Sequence, residues 1–149
     1  MAIELATGDL LAAPVEGLVN PVNTAGVMGK GLALEFKRRF PDVFAAYAAA
    51  HEQGGLRVGR VHVVHRDESP RYVFNLTTKK HWRGRSRLEY IRLGVEDLAL
   101  QVRRLEVRTL AVPALGCGLG QLTWADVEPL ITSALEPLSD VRVLLFPPR

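Results

Sequence analysis

The chain has 149 residues, 48% of them hydrophobic and 23% charged, which suits one folded domain and excludes a disordered one. Its single cysteine, Cys117, rules out an internal disulfide; four scattered His with it are too few for a structural zinc site; no apolar run nears the ~18 residues of a membrane span. The net charge of +3 says little as a sum, but Lys79, Lys80, Arg83, Arg85 and Arg87 fall in one segment with no acid before Glu89, and Lys37-Arg38-Arg39 form a second cluster.

Ile3 to Ala6 alternates apolar and polar and predicts a strand ending at Gly8-Asp9. Gly17 to Asn20 predicts a second strand that runs into a polar, glycine-rich loop. Gly31 to Phe40 reads as a helix, and Pro41 opens another that is Ala-rich from Phe44 to Ala50 and stops at Gly54-Gly55. Arg60 to His65 and Tyr72 to Leu76 predict strands joined by the turn-rich Asp67-Glu68-Ser69-Pro70. Ser86-x-x-Glu89 fits a capping box, and the helix it opens carries Leu88, Ile91, Val95, Leu98, Val102 and Leu105 on one stripe. Thr109 to Val112 is a short buried-strand run ended by Pro113. Thr123-x-x-Asp126 opens a helix to Leu135, with Pro129 predicting a kink or a late start, and Val141 to Phe146 is the final strand.

This alternation predicts a single α/β domain over 1–149, a mostly parallel sheet covered by helices on both faces, with ligands beyond the carboxyl ends of its strands. Four segments occupy such places: Gly8-Asp9-Leu10, Asn20 to Gly31, Pro113 to Gly120, and Phe146-Pro147-Pro148. Two glycine loops after strands, each leading into a helix, suit a diphosphate, because glycine lets the backbone approach and helix-start N–H groups face the anion. Neither loop has the spacing of a Walker A or dinucleotide fingerprint. An Asp after a strand is more often a turn or cap residue than a ligand group, but Asp9 is placed to accept from an adenine amine. A ring such as Phe146 can lie on a base, although a core Phe is commoner. Cys117 reads as a small residue between loop glycines rather than a nucleophile.

Together these segments resemble a macrodomain, the three-layer α/β/α module that binds ADP-ribose, over essentially the whole chain. The resemblance implies adenine contact by Asp9 with Leu10 and Phe146 nearby. It implies that Asn20, Val27, Met28, Gly29 and Gly31 of the first loop, and Leu115, Gly116, Cys117, Gly118, Leu119 and Gly120 of the second, wrap the diphosphate and distal ribose. Val27-Met28-Gly29-Lys30-Gly31 with Phe36-Lys37-Arg38-Arg39-Phe40 is similar to the branch holding the terminal ADP-ribose glycohydrolases. Asn75-Leu76-Thr77-Thr78-Lys79-Lys80-His81-Trp82-Arg83 is similar to the DarG type, antitoxins that remove ADP-ribose from thymidine in DNA.

The resemblance implies a catalytic lysine at the distal ribose, whose amine attacks the anomeric carbon or assists its opening. The Thr-Lys step favours Lys79; Lys80 stays open, because a strand bulge would exchange them. Asn23, or Asn20, would position the ribose hydroxyls or the leaving base, since an amide transfers no proton. Gly120 stands where relatives of the branch carry an Asp, so a mechanism needing that acid does not carry over. His81, Trp82, Arg83, Arg85 and Arg87 would hold single-stranded DNA, by phosphate contacts and base stacking. The implied partners are ADP-ribose, ADP-ribosylated single-stranded DNA and a cognate ADP-ribosyltransferase toxin, with no cofactor, metal or membrane. The chain is expected to be a cytoplasmic monomer without a leader, and to be a piece of a longer protein, because DarG proteins usually carry a further domain. Protein-linked ADP-ribose, O-acetyl-ADP-ribose or binding without turnover are the alternatives.

Overall fold

The computed structural model describes residues 2–81 and 84–148. Its sheet has six strands: β1 (Ala2–Leu5), β2 (Gly17–Asn23), β3 (Val61–His65), β4 (Tyr72–Lys79), β5 (Thr109–Val112) and β6 (Arg142–Leu145). They lie in the order β1-β6-β5-β2-β4-β3, parallel throughout except that β3 runs antiparallel to β4. The carboxyl ends of the parallel strands therefore share one edge of the sheet. The helices are α1 (Gly31–Arg39), α2 (Pro41–Glu52), α3 (Leu88–Arg104) and α4 (Trp124–Leu135).

Successive strand residues point to opposite faces, and two cores result. Val19, Phe74, Leu76 and Leu110 pack under Ile91, Val95, Leu98 and Val102 of α3 and Val127, Ile131 and Leu135 of α4. Leu18, Val22, Val73 and Ala111 pack under Phe36 of α1 and Val43 and Tyr47 of α2. The three layers and mixed sheet expected from the sequence are thus present. Helix α3 approaches β4 closely at Gly94, where a Cβ would lie 2.5 Å from Leu76 Cδ2.

Beyond shifts of a residue at strand ends, three features differ from the sequence reading and one of its alternatives is decided. Strand β2 continues through Pro21 to Asn23, because its pairing with β5 covers only Gly17 and Leu18. Past that point β2 is an edge on the β5 side, where a missing N–H is tolerated. Strand β4 continues through Thr77 and Thr78, whose branched side chains suit a strand. The cap of α3 is Arg87, not Ser86, and no side chain bonds its first turn; Glu89 instead pairs with Arg92. Helix α4 starts at Trp124 and contains Pro129, so the late start does not occur.

Candidate active site

A cavity of about 670 Å³ opens along the carboxyl edge, lined by the segments that follow β1, β2, β4, β5 and β6. From β1 to β4 the sheet order gives four strand spacings, about 19 Å in all. The site is therefore an elongated cleft lying across the strand ends.

Asn23 organises the loop after β2. Its Nδ2 donates to Val27 O at 2.9 Å, and its Oδ1 accepts from Ala25 N at 2.9 Å. The Tyr47 hydroxyl, rising from α2, lies 2.7 Å from Asn23 O and 2.8 Å from Asn23 Oδ1 and donates to this pair. Burial pushes the Tyr47 phenol up to about 12. Gly26, at φ +80°, turns the chain where a Cβ would lie 2.7 Å from the His51 ring. Asn23, Val27, Gly29 and Gly31 line the cleft. Met28 does not: it is 1% exposed and anchors the loop in the α1/α2 core. Asn20 also lies beneath the wall, fully buried, with Nδ2 donating to Asn75 Oδ1 at 3.0 Å.

The loop after β5 brings Gly116, Cys117, Gly118, Leu119 and Gly120 to the cleft, while Leu115 turns inward to the α3/α4 core. Leu122 N donates to Gly116 O at 2.8 Å and Ser86 N donates to Gly120 O at 3.2 Å. A Cβ at Gly120 would lie 2.4 Å from Ser86 Oγ and 2.6 Å from Gly116 O, so the fold leaves no room for a carboxylate there. The Cys117 thiol is half-buried, donates to Leu115 O at 3.6 Å and is pushed up by burial, which disfavours the nucleophilic thiolate.

At the β1 end, Asp9 does what an Asp after a strand most often does. Its Oδ1 accepts from Leu11 N at 3.0 Å and caps the short turn Leu10–Ala12. Its other oxygen stands 3.8 Å from Arg39 Nη1. The carboxylate nevertheless lines the cleft with Leu10, and Phe146 lines it from the end of β6.

At the β4 end the register shifts by one: Val22 pairs with Thr77, but Asn23 pairs with Lys79. Lys79 lines the cleft and is half-buried, and desolvation lowers the pKa of its amine. Lys80 is exposed outside the cleft, its carbonyl accepting from Thr24 Oγ1 at 2.8 Å. His81, Arg85 and Arg87 are exposed and do not line the cleft either. Trp82 and Arg83 lie outside the described residues. In the second basic cluster, Lys37 Nζ lies 4.2 Å from the centre of the Phe44 ring. Polar cleft residues to which sequence reasoning gave no role include Thr7, Lys30, Glu35, Thr78 and Ser86. Thr78 could have been found as the neighbour of Lys79; Ser86 was hidden by its fit to a capping box.

The family model of the Macro domain matches residues 19–131. The chain belongs to the macrodomain family. The resemblance drawn from its loops is thereby borne out. This macrodomain is 52% identical, over 95% of its length, to the DNA ADP-ribosyl glycohydrolase of Thermus aquaticus, and spans 40% of that protein. It matches the macrodomain of Mycobacterium tuberculosis DarG with a TM-score of 0.96 at 46% identity, over 99% of this chain and 98% of that one. It matches Thermosipho africanus DarTG in complex with ADP-ribose with a TM-score of 0.93 at 33% identity, over 99% of this chain and 42% of that one. The macrodomain therefore spans less than half the length of the T. aquaticus protein and of DarTG. Among the described residues, no helix is long and apolar enough to cross a membrane.

Proposed function

We propose that this macrodomain is an ADP-ribosyl glycohydrolase that releases ADP-ribose from thymidine in single-stranded DNA, opposing an ADP-ribosyltransferase toxin. The observation that carries the reading is a half-buried lysine amine, Lys79, at one end of a cleft whose middle is walled by two glycine loops. A module that only holds ADP-ribose needs no amine at the sugar. The names of the relatives, a DNA ADP-ribosyl glycohydrolase and a DarTG bound to ADP-ribose, support the same reading.

In this reading the adenine lies at Asp9 and Phe146, and the diphosphate lies under the backbone of the glycine loops, as an anion would. The distal ribose then reaches Lys79. The lowered pKa favours the neutral amine, the form that attacks the anomeric carbon. The bond from that carbon to the base breaks, its electron pair leaves with the base, which takes up the proton that Nζ sheds on bonding to carbon, and water then displaces Nζ and frees the sugar. Asn23 takes no part in proton transfer; it holds the first loop in shape. Lys80, Arg85 and Arg87, exposed beside the cleft, hold DNA phosphates.

The test is release of ADP-ribose from a single-stranded oligonucleotide carrying it on thymidine. Lys79→Ala is expected to abolish turnover while keeping ADP-ribose affinity within about threefold, and Lys80→Ala to keep turnover. The rate is expected to rise with pH as the Lys79 amine loses its proton. Equal activity of wild type and Lys79→Ala would sink the mechanism. Binding of ADP-ribose with no turnover by the wild type would leave a reader.

A further inference from the structure

Two buried side-chain polar atoms have no hydrogen-bond partner among the described residues, Asn20 Oδ1 and Ser86 Oγ. Asn20 lies beneath the cleft, whereas Ser86 lines it while remaining 5% exposed. The second glycine loop is folded directly onto this serine. Its N–H donates to Gly120 O at 3.2 Å. A Cβ at Gly116 would lie 3.2 Å from Ser86 Cβ, and one at Gly120 would lie 2.4 Å from Ser86 Oγ. Two positions of the loop are thus kept bare around one serine, and among the described residues its hydroxyl has nothing to bond. Buried hydroxyls are paired as a rule, so an orphan in the wall of a cleft calls for a partner from outside the fold.

We propose that Ser86 is a ligand-contacting residue, its hydroxyl donating a hydrogen bond to an oxygen of the sugar-phosphate half of ADP-ribose. The half is assigned by topology: Asp9 and Phe146 follow β1 and β6 at one side of the sheet, whereas Ser86 packs on the loop after β5 and follows β4 in the chain. The inference rests on the ADP-ribose reading of the cleft.

The test is calorimetric titration of wild type and Ser86→Ala with ADP-ribose and with AMP, which carries the adenine half alone, together with the Tm of each unliganded protein. Ser86→Ala is expected to bind ADP-ribose roughly three- to tenfold more weakly, the worth of one hydrogen bond, and AMP equally. Its unliganded Tm is expected to hold or rise, because the hydroxyl it removes had no partner. Unchanged ADP-ribose affinity would overturn the proposal. So would an equal loss for both ligands, or a fall in the unliganded Tm, either of which would make the hydroxyl structural. A wild type that binds no ADP-ribose would overturn the parent reading instead, and this one with it.

Discussion

Tyr47→Phe isolates the fastening of the first glycine loop. The substitution keeps a fully buried ring and deletes one hydroxyl, which donates to the Asn23 carbonyl and side-chain oxygens at 2.7 and 2.8 Å. Its loss strands buried groups and is expected to cost about 2 kcal/mol at neutral pH, which for a domain of this size lowers Tm by about 4–8 °C. The alkaline limb gives the sharper signature. Burial raises the phenol from 10.0 to about 12, so folding holds the proton that the unfolded chain releases. The tyrosine's contribution is full below pH 10 and is lost as pH climbs towards 12, by about 1.4 kcal/mol at pH 11 and about 3 kcal/mol in the limit. Phenylalanine has nothing to titrate. Urea midpoints of the two proteins, measured from pH 7 to 11.5, are therefore expected to differ most at neutral pH and to converge above pH 10. Parallel profiles, or a neutral-pH difference below about 0.5 kcal/mol, would refute the argument.

Two further outcomes follow from positions outside that loop. Arg85→Ala with Arg87→Ala is expected to raise KM for the modified oligonucleotide several-fold, more steeply at low salt, and to leave free ADP-ribose affinity unchanged; steady-state kinetics at two salt concentrations beside calorimetry would check this, and equal losses would place these arginines in the cleft's own chemistry. Gly94→Ala is expected to destabilise by about 1–2 kcal/mol despite the helix propensity gained, because its Cβ would land 2.5 Å from Leu76 Cδ2. Adding Leu76→Ala is expected to make the two substitutions less than additive in chemical denaturation.

The order of strands and helices was legible because each period is written locally: valines along β3, the three-and-four stripe of α3, glycines after β2 and β5. Placement of the site followed from topology alone, since residues after parallel strands share an edge. What escaped was set by long-range pairing. Pro21 looked like the end of a strand, yet β2 passes through it because β5 has already parted from that side. Met28 and Leu115 looked like loop residues facing a ligand, yet loops this rich in glycine need an apolar side chain driven into the core to hold them down. Ser86 matched a cap by spacing alone, and only the packing of Gly120 against it shows that its hydroxyl lies against the second glycine loop rather than on the first turn of α3.

The one-residue shift between β2 and β4 settles which of two adjacent lysines faces inward. In a regular strand neighbours point to opposite sides, so a single extra residue exchanges their surroundings without altering their chemistry. Here the extra residue falls at Thr78, leaving Lys79 half-desolvated at the cleft and Lys80 in water. Two identical amines next to each other in the chain thus acquire different surroundings through backbone geometry alone. A change that straightened β4 would keep the whole composition of the segment, amine included, and still turn the other lysine toward the cleft. The lining of this cleft is in that sense encoded in strand length as much as in any side chain.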